Sequence, residues 1–162
     1  MMMKLYHGST MIIRQPIVAA GRPNLDFGQG FYLTDLSDQA ESWADRMQRI
    51  NLETGVVNIY ELDIDSVKVE FSYYRFDRYD KEWLDFIVAN RMGRDNVVHY
   101  DVIEGGVAND RVIDTIEAYM ANMMPIDVAL RELARHQPNN QICITNQAVL
   151  DKHLMFIDSY NI

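Results

Sequence analysis

Cysteine is almost missing from this chain: a single one, Cys143, stands among 162 residues. It cannot close an internal disulfide, and alone it cannot build a zinc site, so a reducing, cytoplasmic setting is expected. Proline is scarce too, with four. No linker, repeat or low-complexity tract divides the chain, and one domain over residues 1–162 is expected. No apolar run reaches membrane-spanning length, and no basic start with an apolar centre marks a signal peptide; no membrane contact is expected. Positive charge is in deficit, with 15 Lys and Arg against 24 Asp and Glu and a formal charge of −9. Such a surface repels a phosphate backbone, so nucleic-acid binding is not favoured, whereas a basic partner would suit it. Asp63, Asp65, His99 and Asp101 lack metal-ligand spacing, and no metal is expected.

What the chain does have is ordinary globular composition, 48% hydrophobic and 24% charged, with strand and helix patterns interleaved. Strands are predicted over 5–9, 31–34, 56–62, 97–103, 141–145 and 154–157, with a further alternating run at 67–71. A first helix follows Asp35 as its cap, with Leu36, Ala40, Trp43, Ala44, Met47 and Ile50 on one face. Asp80 caps a second, carrying Trp83, Leu84, Ile87 and Val88. Asp110 is positioned to cap a third, and Pro125 starts a fourth with Ile126, Ala129, Leu130 and Leu133, which Pro138-Asn139-Asn140 ends. Residues 10–25 read as a loop in which Arg14 and Arg22 are candidates for a ligand phosphate. Tyr73, Tyr74, Phe76 and Tyr79 make an aromatic connection suited either to a partner surface or to packing under a loop. The strand after Tyr100 runs into Gly105-Gly106, placing polar groups at a strand end, where sites often lie.

Two pieces carry the chemistry. The first is Leu5-Tyr6-His7-Gly8-Ser9, a short strand ending in His-Gly-Ser. The second is Asp26-Phe27-Gly28-Gln29-Gly30-Phe31-Tyr32-Leu33-Thr34, paired glycines leading into a strand. Trp43 follows Tyr32 by eleven residues. Singly, each of these is an ordinary core or turn residue. In this order and spacing they resemble the ADP-ribosyltransferase superfamily, in the His-Tyr-Glu branch of the diphtheria-toxin and poly(ADP-ribose) polymerase type. The chain is also similar to a bacterial domain family of unknown function grouped with such toxins.

The resemblance implies an α+β fold, a split β-sheet sandwich with flanking helices. It implies NAD⁺ as substrate and no metal. His7 would hold the adenosine-side ribose, and the Gly8 backbone the carboxamide, beside Ser9 and Gly30. Tyr32 and Trp43 would sandwich the nicotinamide, with Arg14 toward a phosphate. The branch's late glutamate falls on Gln141, in Asn140-Gln141-Ile142-Cys143-Ile144-Thr145, so the catalytic set reads His7, Tyr32 and Gln141. Glutamine can hydrogen-bond a ribose hydroxyl but offers neither a base nor a charge. That loss is worth roughly two or three decades in rate. Glu104 and Asp110 are possible substitutes. A serine of the polymerase branch is replaced by Ala40. The implied activity is mono-ADP-ribosylation of a macromolecular acceptor, as in the toxin of a toxin–antitoxin pair. An NAD⁺ glycohydrolase and a non-catalytic NAD⁺ or ADP-ribose binding module are the alternatives. A thiol enzyme built on Cys143 with His99, His136 or His153 has no distinguishing motif.

Overall fold

The structure, a computed structural model, describes residues 1–95, 97–135 and 139–162. Two sheets form an α+β architecture. The first orders β1 (Met2–Ser9), β3 (Val56–Asp63) and β7 (Leu154–Asn161) antiparallel, with β3 in the centre. The second orders β2 (Phe31–Leu33), β6 (Gln141–Ile144), β5 (Val102–Gly105) and β4 (Tyr73–Arg75). Only β4 and β5 among these neighbours run parallel.

Strand alternation sorts the side chains into layers. Leu5, Tyr60 and Leu62 of the first sheet meet Phe31, Leu33, Val102, Ile142 and Ile144 of the second in one core between the sheets. The opposite face of the second sheet, with Ile103 and Cys143, is covered by α3 (Lys81–Arg91), α4 (Asp110–Met120) and α5 (Ile126–Leu133). The outer face of the first sheet is covered by α1 (Ser37–Asn51), which buries Ala40 and Ala44 against Val57. Among the described residues no helix is long and apolar enough to cross a membrane.

Several local expectations are corrected. Residues 64–70 form a helix, α2 (Ile64–Glu70), where strand-like alternation stood in the sequence. Asp63 accepts from the Ser66 amide at 3.3 Å and the Ser66 hydroxyl at 2.7 Å, and this cap outcompetes the alternation. Of the run 97–103 only the end is strand, because β5 begins at Val102 and Val98 is exposed. α1 starts two residues after Asp35, with Leu36 at the cap position and Thr34 Oγ1 accepting from the Leu36 amide at 3.1 Å. Residues 147–153, between the strands predicted over 141–145 and 154–157, form the helix α6 (Gln147–His153), capped by Asn146. The expected Asp80 cap is present, accepting from the Trp83 amide at 2.9 Å. α4 carries a cap from Asn109, whose Oδ1 accepts from the Val112 amide at 3.1 Å. The side chain of Asp110, and His136 and Pro138, lie outside the described residues.

Candidate active site

The site is organised by the place where the two sheets part. Tyr6 of β1 exchanges both backbone bonds with Thr34, at 2.8 and 2.9 Å, and among the described residues this single bridge joins the sheets. Residues two apart on a strand send their N–H and C=O to the same edge. The backbone of Gly8 therefore faces the edge that Tyr6 uses. One further pair would set Gly8 opposite Tyr32, but the pairing stops. The Tyr32 carbonyl is taken by the His7 side chain, with Nδ1 at 2.6 Å. A carbonyl only accepts, so Nδ1 carries the proton, and neutral His7 keeps a bare Nε2 as an acceptor. Burial pulls the His7 imidazole below its ordinary value of 6.5, against the Tyr32 bond, which raises it. The ring lies 4.3 Å from Phe31, on the face between the sheets.

Gly8 is a glycine for a steric reason as well. A Cβ there would lie 2.1 Å from the Ala40 carbonyl oxygen and 2.9 Å from the Trp43 Cβ. The strand thus packs directly on the backbone of α1, and Trp43 is held beside the parting of the sheets. Ser9 is buried and paired with Val56. Gly30 sits against β6, where a Cβ would be 2.5 Å from Cys143 Sγ.

Tyr32 stands opposite Cys143, so its ring projects from the same face of the second sheet as Gln141. Its hydroxyl donates to the Gly28 carbonyl at 2.6 Å and accepts from the Phe27 amide at 3.0 Å. Gly28, at φ 89°, makes the turn that brings these groups to the phenol. The turn is fixed from α3, where Arg91 pairs with Asp26 at 2.7 Å. Burial pushes the phenol well above its ordinary value, Cys143 adding to the shift, and burial pushes the Cys143 thiol up to about 12. Tyr32 offers its ring, not an ionised oxygen, and Cys143 is no nucleophile. Gln141 donates from Nε2 to the Gly106 carbonyl at 3.3 Å, a carbonyl that also accepts from Trp83 Nε1 at 3.2 Å. No donor among the described residues reaches Gln141 Oε1.

A cavity of about 1030 Å³ opens between α1 and the strand-end loop after β5, lined by Gln39, Trp43, Arg46, Val107, Asn109 and Asn139 among others. Of the predicted residues, Trp43 lines it, and His7, Tyr32 and Gln141 do not. Arg14 is elsewhere, its guanidinium 5.0 Å over the Phe156 ring. The cation facing the cavity without an ion pair, among the described residues, is Arg46; Arg49 is held by Asp45 at 2.6 Å. Sequence reasoning passed over Gln39, Arg46 and Asn139, although the polar strand end near Asn109 signalled the far wall. No cluster of His, Cys, Asp and Glu able to hold a metal occurs among the described residues.

No curated protein and no solved structure matches the chain. A family model matches residues 3–156, nearly the whole fold including both motif strands, and its description is "Protein of unknown function (DUF3990)". The chain belongs to that family.

Proposed function

We propose that the protein is an ADP-ribosyltransferase that binds NAD⁺ where the sheets part and transfers ADP-ribose to a macromolecular acceptor. The observation that carries this reading is the parting itself. Gly8 and the His7 side chain, whose Nδ1 takes the Tyr32 carbonyl, stand at that join, and Trp43 packs beside Gly8 and lines a cavity large enough for a nucleotide-sized ligand. The two sheets, joined there and flanked by helices on both outer faces, suit the split-sandwich reading of the fold.

In this reading the Gly8 backbone holds the carboxamide and Trp43 stacks on the nicotinamide against the Tyr32 side. His7 Nε2 accepts from a ribose hydroxyl, and Gln141 Oε1 accepts from the 2′-hydroxyl of the nicotinamide ribose. The bond from C1′ to the nicotinamide nitrogen breaks, and its electron pair leaves with nicotinamide. The acceptor nucleophile bonds to C1′ and releases its proton to solvent. Positioning supplies most of the acceleration in this reading. An NAD⁺-binding module without turnover is the second reading, favoured by the uncharged Gln141.

Incubation of the purified protein with NAD⁺ labelled in the adenylate, with and without cell lysate, tests both. Label on a macromolecule, lost in Tyr32→Ala, is the expected result. Free ADP-ribose alone would mean a glycohydrolase, binding without product a module, and no binding would end the NAD⁺ reading.

A further inference from the structure

Arg46 is the uncommitted cation of the cavity wall. Carboxylates outnumber cations in this chain, 24 to 15, yet among the described residues none pairs with Arg46. The cation one turn further on shows the usual outcome, since Arg49 closes on Asp45 at 2.6 Å. Arg46 stays exposed and lines the cavity of about 1030 Å³. Arg14, the arginine whose place in the sequence suggested a phosphate contact, lies instead over the Phe156 ring.

The position of Arg46 on α1 gives it a role. Trp43 and Arg46 are three residues apart and both line the cavity. At that spacing they are neighbours on one helix face, with Cβ atoms roughly 5–6 Å apart. The indole offers a flat ring a stacking face. The guanidinium, one turn on, offers a planar fork that matches phosphate oxygens. A ring and a fork so placed suit a ligand whose own ring and phosphate are joined through a sugar.

The carboxylates of the wall, Asp35, Asp38 and Asp45, do not cancel this charge. Asp45 is engaged by Arg49, and successive residues on a helix do not face each other. Asp38 precedes Arg46 by roughly 12 Å along the helix axis, more than a Debye length at physiological salt. Asp35 stands before the helix and is held by Asn140, whose Nδ2 donates to it at 3.1 Å. Asn140 is a hub: its Nδ2 also donates to Glu104 at 2.9 Å, and its carbonyl accepts from Thr34 Oγ1 at 2.8 Å and Gln39 Nε2 at 2.7 Å. Among the described residues the opposite wall, with Val107, Ala108, Asn109 and Asn139, carries no charge. The cavity is therefore polarised along α1, acidic at the helix start and basic beyond Trp43.

We propose that Arg46 is the phosphate-binding residue of the NAD⁺ site, forking onto the diphosphate of a dinucleotide whose cationic ring stacks on Trp43. This rests on the NAD⁺ reading above and adds the direction in which the ligand lies: diphosphate toward the end of α1, ring toward Asp35 and Asp38.

Calorimetric titration with NAD⁺ and with nicotinamide riboside, which has the same cationic ring and ribose but no phosphate, tests the assignment. Arg46→Ala should weaken NAD⁺ binding about 10- to 100-fold, the loss of one charge-assisted fork, and leave the riboside affinity unchanged. Arg46→Lys, a point charge without the fork, should fall between. Arg14→Ala should bind both ligands as the wild type does. Because Arg46 is exposed, its variants should unfold at the wild-type midpoint. Wild-type NAD⁺ affinity in Arg46→Ala would overturn the proposal and leave the NAD⁺ reading standing. A loss shared equally by the riboside, or a selective loss of NAD⁺ in Arg14→Ala instead, would do the same. Wild-type protein that binds neither ligand would remove the NAD⁺ reading and this assignment with it.

Discussion

Helices α1 and α3 start from similar sequence patterns and end in opposite uses. Both show an apolar face with a tryptophan on it. α3 spends that face on the core: Trp83, Leu84, Ile87 and Val88 are all buried, and Trp83 is fully so. α1 buries only Ala40 and Ala44. Its larger residues stay outside, with Trp43 half-buried at the cavity and Met47 and Ile50 exposed. The cause is Gly8. A strand with a glycine at the contact lets the helix approach backbone to backbone, and only small residues fit between. Of the large apolar side chains of α1, Trp43 and Ile50 are thereby left at the cavity and Met47 in solvent. The same periodicity yields a core helix in one place and a cavity-lining helix in the other.

Removing each tryptophan breaks the comparison most sharply. Trp83→Ala leaves a cavity in the larger core and should lower stability by about 3–5 kcal/mol in urea denaturation. Trp43→Ala should lower it by no more than about 1 kcal/mol while abolishing NAD⁺ binding. Comparable losses in both would mean that α1 is an ordinary core helix. Gly8→Ala comes next. The added methyl meets backbone atoms of α1 that cannot step aside, and a cost of about 1–3 kcal/mol is expected. The loss should register in the midpoint of thermal unfolding, and an unchanged midpoint would remove the close approach from the account.

Tyr32→Phe is smaller. It strips the phenol from the Phe27 amide and the Gly28 carbonyl, and should cost about 1–2 kcal/mol. The lost protection should appear as faster hydrogen exchange of the Phe27 amide in particular; if that amide is untouched, the turn is held from α3 alone. The mildest effect is that of pH. The folded-state value of His7 is depressed below 6.5. The unfolded chain then binds the proton more readily, so stability is full above the ordinary histidine range and falls as pH drops through it. The slope of stability between neutral pH and mild acid should flatten in His7→Gln, and an identical slope would show that other groups set it.

The sequence made α3 legible because local and tertiary signals agreed: the Asp80 cap and four apolar residues at helical spacing point the same way. α2 was misread because Val67, Val69 and Phe71 alternate like a strand, whereas the Asp63–Ser66 cap decided the outcome and left Val69 86% exposed. Residues 97–101 have strand composition but no strand pairing before Val102. In the candidate site, the order His7, Tyr32, Gln141 was readable as motif. The Asn140 hub was not, since it joins Thr34, Asp35, Gln39 and Glu104 across long sequence separations that no local pattern reports. Nor could the sequence say that Arg14 would settle on Phe156 while Arg46 faces the cavity.

Calorimetric titration of the purified chain with NAD⁺, run beside Trp43→Ala, tests the central claim most directly. Saturable binding by the wild type at one site, lost in a Trp43→Ala protein that unfolds at nearly the same temperature, is the predicted result. No binding by the wild type, or equal affinity in both proteins, would contradict it.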